Sequence, residues 1–346
     1  MDKTFKRSLL GAAVAMAAVS GSANAAIELA GEAVQIYGQA AASYQVWDPA
    51  GNGSQQSAGV EVESRIGFRG VVEFDNFAPN FVWQIESGNA NNRDSGTDPW
   101  NKYHGILGGR DTYVGFQFED TGTITFGRRT IAVYDYVDWP HTNPGLGNVF
   151  DWNNNIGADY ETRADNVLRF DSANFGGFNF QATLSGMGSD TDHAIMSVAG
   201  SYTGSNFSIH GGHYTQDGWM EGTEKKGDVS YSLIGGSVWF GKATITAGYK
   251  MMENDATNDS QDVLSVTAGY WLNDQWLAKV GYSAAGDADV GTAAAGKEGS
   301  TAMTARLLYS LPSMVIYFDA RNYEMYGNKE DGGSGTRFML GTEYYW

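Results

Sequence analysis

The final eleven residues, Thr336-Arg337-Phe338-Met339-Leu340-Gly341-Thr342-Glu343-Tyr344-Tyr345-Trp346, decide the fold. Phe338, Leu340, Tyr344 and Trp346 share one parity; Arg337, Glu343 and Tyr345 share the other. A period of two, with one apolar and one polar set, marks a strand lying between a greasy and a wet surface. Terminal residues of soluble domains usually fray. A barrel that crosses a membrane must instead close its last strand onto its first and leave no free edge. The stretch therefore predicts the closing strand of a transmembrane β-barrel.

The opposite end reads as an export address. Lys3, Lys6 and Arg7 precede the apolar run Leu9–Val19, and Ala23-Asn24-Ala25 is a small-x-small cleavage site. This pattern predicts a secretory signal peptide over 1–25 and a barrel over 26–346. The apolar run is too short to span a bilayer as a helix, and no later segment approaches the ~20 apolar residues required. Without the leader, 19 basic residues stand against 39 acidic ones, a net charge of −20, which argues against nucleic acid as a partner. The mean hydropathy of −0.34 fits a barrel, because polar lumen residues alternate with lipid-facing ones and dilute the average. With no cysteine, disulfides, thiolate zinc sites and cysteine nucleophiles are all excluded.

The same alternation recurs inward from both ends. Phe178, Phe180, Ala182 and Leu184 oppose Asn179, Gln181, Thr183 and Ser185. Ile245, Ala247 and Tyr249 oppose Thr244, Thr246 and Lys250, and Trp276, Ala278, Val280 and Tyr282 oppose Lys279. Short connections such as 119–122, 173–176 and 241–242 alternate with longer ones near 48–58, 88–109, 130–163, 216–227, 253–261, 285–299 and 325–335. Short turns at one end and long loops at the other distinguish an outer-membrane barrel from a soluble propeller or sandwich. The predicted fold is all-β: an antiparallel barrel of sixteen strands, wide enough to hold water. Trp47, Trp239, Trp271, Tyr270, Tyr309, Tyr344 and Trp346 fall near strand ends, where amphipathic rings sit at headgroup level.

Parity also sorts the charges. Arg65 and Arg69 share a face with Glu61 and Glu63 and oppose Ile66 and Phe68; Arg163 and Arg169 oppose Leu168 and Phe170. A charge on the lipid face costs roughly 2–4 kcal/mol at the midplane, so these arginines are expected to line the lumen. Arg110 shares parity with Val114 and Phe116 and reaches the lumen only through a bulge or from above the bilayer.

Several segments resemble the general diffusion porins of Gram-negative bacteria: Ser64-Arg-Ile-Gly-Phe-Arg-Gly70, Arg110-Asp-Thr-Tyr-Val-Gly-Phe-Gln-Phe118, the run Gly122–Arg128 ending Phe-Gly-Arg, Asn166-Val-Leu-Arg-Phe170 and Phe175-Gly-Gly-Phe-Asn-Phe180. The resemblance is firm over about 34–185 and looser beyond. It implies a homotrimer of sixteen-stranded barrels in outer-membrane lipid and lipopolysaccharide, each a water-filled channel for passive diffusion of small hydrophilic solutes and ions. It also implies that the third long loop, 130–163, folds into the lumen and sets acidic side chains against a basic wall. Arg65, Arg110 and Arg163 match the basic positions, and Asp135 matches an early loop acid. A later loop acid has no counterpart near Pro144–Gly147, leaving Asp138, Asp151, Asp159 and Glu161 to substitute. The family usually ends in Phe; this chain ends in Trp346.

A sugar-specific channel is the alternative reading, since Trp100, Tyr134, Trp139 and Trp152 could stack on pyranose rings. Nothing in the sequence points to an enzyme, a cofactor or a metal. HExxH, GxSxG and phosphate-loop motifs are absent, and His210 and His213 lie on opposite faces of one strand.

Overall fold

A computed structural model describes residues 26–346 apart from 52–54, 90–106, 153, 159, 187–193, 222–223, 290–297 and 327–332; the side chains of Trp152, 219–221 and 224–226 are also outside the description. Sixteen antiparallel strands close into a barrel. The first is β1, Gln35–Pro49; β2 runs in two segments, Ser57–Val62 and Arg65–Phe74, both paired with β1. Next come β3 (Phe77–Glu86), β4 (Thr112–Phe118), β5 (Gly122–Thr130), β6 (Arg163–Ser172), β7 (Phe178–Ser185) and β8 (Ile195–Thr203). The second half holds β9 (Phe207–Glu221), β10 (Glu224–Phe240), β11 (Ala243–Asn254) and β12 (Asp259–Trp271). It ends with β13 (Trp276–Ala285), β14 (Thr301–Leu311), β15 (Met314–Glu324) and β16 (Gly335–Tyr345). Each strand pairs with its neighbours in sequence, and β16 returns to β1 over Gly335↔Pro49 through Tyr345↔Gln39. A two-residue strand, Ile27–Glu28, pairs with the start of β1.

Alternation controls which side of the wall each residue takes. Phe338, Leu340 and Tyr344 of β16 are 42%, 58% and 47% exposed on the bare outer surface, while Met339 and Tyr345, of the opposite parity, are buried. In β7, Phe178 and Phe180 are exposed, and Thr183 and Ser185 are buried. The antiparallel ladder runs unbroken from strand to neighbouring strand around the barrel, supplying the backbone partners that the hydrocarbon core demands.

Three details depart from the sequence reading. The connection 186–194 between β7 and β8 was not anticipated and makes the eighth long-end connection. Strands β9 and β10 continue through the expected loop 216–227, and β11 and β12 leave only 255–258 of the expected loop 253–261. At fifteen and seventeen residues, β9 and β10 exceed the ~9–11 needed to span the bilayer, so their hairpin projects beyond it. Trp47, expected at the headgroup level, turns inward: Arg337 lies 5.1 Å over its ring, and Tyr323 is 6.4 Å away.

The hydrophobic core lies inside the barrel and along one side of it. Its largest fully buried side chains include Ile131, Val133, Val137, Leu146, Val149, Phe150 and Ile156, all from the connection between β5 and β6, together with Tyr214, Val229 and Met252 from the wall beneath. Burying a side chain of this size stabilises by roughly 1.5–3 kcal/mol. The loop is therefore fastened within the lumen by its own apolar face.

Candidate functional site

The loop leaves β5 at Thr130 and enters a short helix, α1, Tyr134–Asp138. It passes Gly145, makes a π-helical turn at Asn148–Trp152 and rejoins the wall at Arg163. Polar anchors supplement the apolar face. The Ala132 and Val133 amides donate to Thr183 Oγ1 (3.3 Å) and Ser197 Oγ (3.1 Å). Ser265 Oγ donates to the His141 carbonyl (2.8 Å), Tyr323 Oη to the Gly145 carbonyl (2.9 Å) and Asn254 Nδ2 to the Ile156 carbonyl (2.8 Å). These partners lie on β7, β8, β11, β12 and β15, so the loop crosses the lumen from its root to the far wall. A loop that left water without such partners would strand its buried carbonyls at 1–3 kcal/mol each.

Beside the loop's root stands a group of cations. Arg163 Nε meets Asp111 Oδ1 at 2.6 Å, and Arg129 Nε lies 3.2 Å from Asp111 Oδ2. Arg110 Nε meets Glu86 Oε1 at 2.5 Å, and Tyr37 Oη donates to the other Glu86 oxygen at 2.7 Å. Arg65 Nε donates to Gln39 Oε1 at 3.0 Å. Arg110 feels the repulsion of both Arg65 and Arg163, so the three guanidiniums form one positive cluster. Arg110 precedes β4 rather than belonging to it, so strand parity does not govern it and no bulge is needed. Asp138, at the end of α1 and open to the lumen, lies within electrostatic reach of Arg110, Arg163 and Arg65. Enclosure by the wall raises its carboxyl above the ordinary range, and Asp135 adds to the rise, while the three arginines oppose it. A loop acid facing wall cations across water produces a transverse field, the arrangement that orders polar solutes and discriminates ions by sign.

The remaining expected site residues divide. Arg69 donates to Gln35 Oε1 at 3.2 Å and lies 5.0 Å over the Tyr37 ring. Arg169 does not line open water, because its side chain is 5% exposed and bonded to Asp135 and Asp171, each at 2.6 Å. It ties the loop to the wall and takes Asp135 out of the facing set. Asp151 accepts from Tyr134 Oη at 2.8 Å, binding the helix to the π-turn. The Glu161 amide donates to Tyr214 Oη at 3.1 Å. Trp139 is half-buried with the Lys279 ammonium 5.4 Å over its ring. Trp100 and Asp159, and the side chain of Trp152, lie outside the described residues.

Sequence reading missed Glu86, Asp111 and Arg129, although Asp111 adjoins the singled-out Arg110. It also missed Asp319, fully buried between Arg306 and Arg321 at 2.6 Å from each. Its signal was there: Asp319 has the inward parity on a strand whose Ile316 and Phe318 face out. Among the described residues no cluster of three or more metal-ligating side chains occurs.

A closed sixteen-stranded barrel with an infolded loop and a charged lumen defines an outer-membrane channel of the porin class. A profile of the Gram-negative porin family matches residues 12–326, and the chain belongs to that family. Its sequence is 34% identical over 316 residues to a chitoporin of Vibrio furnissii, covering 82% of this chain and 84% of the relative. The fold is similar to that of Salmonella typhi OmpF in complex with daunomycin (TM-score 0.71, 17% identity, 93% and 100% of the two chains). It is also similar to the trimer form of Vibrio cholerae OmpT (TM-score 0.67, 17% identity, 90% and 99%).

Proposed function

We propose that this channel admits small hydrophilic solutes and ions by passive diffusion and filters them by charge between Asp138 and the Arg65–Arg110–Arg163 cluster. The observation that carries this reading is the electrostatic facing of that one loop carboxylate by three wall guanidiniums. The lumen acid Glu63 lies within electrostatic reach of Glu61 and of Glu343, and the three add negative potential that favours cations over anions. The working form is a homotrimer in outer-membrane lipid and lipopolysaccharide, exported by a cleaved leader over 1–25; the trimeric relative supports the assembly, and the n-region, apolar run and Ala-x-Ala site support the leader. Planar-bilayer recording tests the reading. Discrete conductance steps with a reversal potential favouring cations are expected, and a membrane that stays silent would refute it.

A sugar-specific channel is the second reading, favoured by the chitoporin relative and by Tyr134 and Trp139 on the infolded loop. Against it, Tyr134 is tied to Asp151, and a cation covers one face each of Trp139, Trp47 and Tyr317. Blocking of the ion current by micromolar chitooligosaccharide would decide for it.

A further inference from the structure

Four strands present a row of directly paired, inward-facing residues: His210 on β9 opposite Gly235 on β10, Gly248 on β11 and Ser265 on β12. The loop lays His141 along this row. Its ring spans the two glycines, its Nε2 lies 2.6 Å from His210 Nε2, and its carbonyl takes the Ser265 hydroxyl. A Cβ on Gly235 would stand 2.6 Å from His141 Nε2, and one on Gly248 would stand 2.6 Å from His141 Cε1. Tyr136 stacks on His210 at 5.0 Å, and Phe150 closes over His141 at 5.3 Å. The niche therefore has room for an imidazole only because two neighbouring strands lack side chains there.

We propose that His141 is the positioning residue of the constriction: seated against His210 in the Gly235–Gly248 niche, it fixes the loop's distance from the wall and hence the place of Asp138, three residues earlier, and acid unseats it. Two neutral imidazoles at this distance share one hydrogen, one ring donating from Nε2 and the other accepting. A first added proton goes to the donor's Nδ1 and leaves that bond intact. A second must go to the acceptor's Nε2, which removes the lone pair and sets two cations face to face. His141 Nδ1 is buried without a partner, so nothing in the niche compensates the charge. Tyr136 from the loop and Lys279 from β13 are the other titratable groups facing the pair, and Lys279 repels the added charge. Burial, then His210, then Lys279 lower the His141 pKa to about 3, so the latch holds at neutral pH and yields only in strong acid. The wall blocks movement one way, so an unseated loop moves toward the axis.

Single-channel recording of the full-length refolded channel in potassium chloride tests this. Gly235→Ala and His141→Ala should each lower unitary conductance at pH 7 by roughly a third or more and add flicker, because a few ångströms of loop displacement narrow the lumen. The double variant should match His141→Ala, since the nearest atoms to the added methyl belong to the His141 ring, and once that ring is gone His210, 2.8 Å away, has space to swing clear. Gly59→Ala, where an added Cβ meets nothing within 4 Å, should behave as wild type. His141→Gln retains a donor toward His210 and should restore wild-type conductance at pH 7 while losing the acid-dependent fall near pH 3. Should Gly235→Ala fail to reach the folded barrel, the contrast of His141→Ala with His141→Gln decides. Wild-type conductance and noise in His141→Ala, or a His141→Gln pH profile that overlays wild type, would overturn the proposal.

Discussion

Gly38 and Trp346 close the barrel together: the Gly38 amide donates to the Trp346 carbonyl at 2.8 Å, and the Trp346 amide donates back to Gly38 at 3.1 Å. The indole lies where a side chain on Gly38 would stand, with Cζ2 2.5 Å from the position of a Cβ. The last residue thus completes the ladder and covers the bare backbone of the first strand.

Gly38→Val should impair closure, because the added atoms collide with the indole and with the Arg65 carbonyl, 2.7 Å from the Cβ position. Overpacking of this kind costs about 1–3 kcal/mol. Heat-modifiable migration on gels measures the folded fraction, which should fall for Gly38→Val and for Trp346→Ala, and hold for Trp346→Phe.

Replacing Arg65 and Arg110 together by glutamine should shift the reversal potential in a salt gradient further toward cations. The shift should shrink as ionic strength rises, since screening acts over about 8–10 Å at ordinary salt. An unchanged potential would remove these arginines from the filter.

Asp138 contributes cation preference only while ionised. Its carboxyl is raised, so the contribution is present above the raised value and disappears as pH falls through it, at higher pH than an ordinary aspartate near ~3.9. Reversal potentials of wild type and Asp138→Asn should therefore converge on acidification before free carboxylates titrate. Curves that coincide at all pH values would count against the residue.

Arg169→Ala should loosen the loop's root by stranding Asp135 and leaving Asp171 with Arg129, 3.7 Å away. Both carboxylates retain some solvent access, so the cost is on the order of 2 kcal/mol, below that of a fully buried pair. The expected signs are a lower unfolding temperature and faster proteolysis within 131–162, with the barrel still closed.

Period-two alternation made the barrel legible, because each strand meets lipid on one side and water on the other. β16 and β7 follow their parity residue by residue. Alternation does not say where a strand stops once it leaves the bilayer, which is why β9 and β10 outran the expected loop. The basic positions Arg65 and Arg163 were readable for the same reason as the strands. The latch was not: His141 and His210 are 69 residues apart and meet only because the loop crosses the lumen at that height. Arg169 shows the same limit, since its parity is correct but its partner Asp135 arrives from the loop and closes it to water.

The most direct measurement is the unitary conductance of a channel lacking residues 138–155, which removes the loop's lumen-crossing half and Asp138 with it. A folded barrel with larger conductance and weakened ion preference is expected. A folded deletion variant that conducts and selects like the intact channel would contradict it.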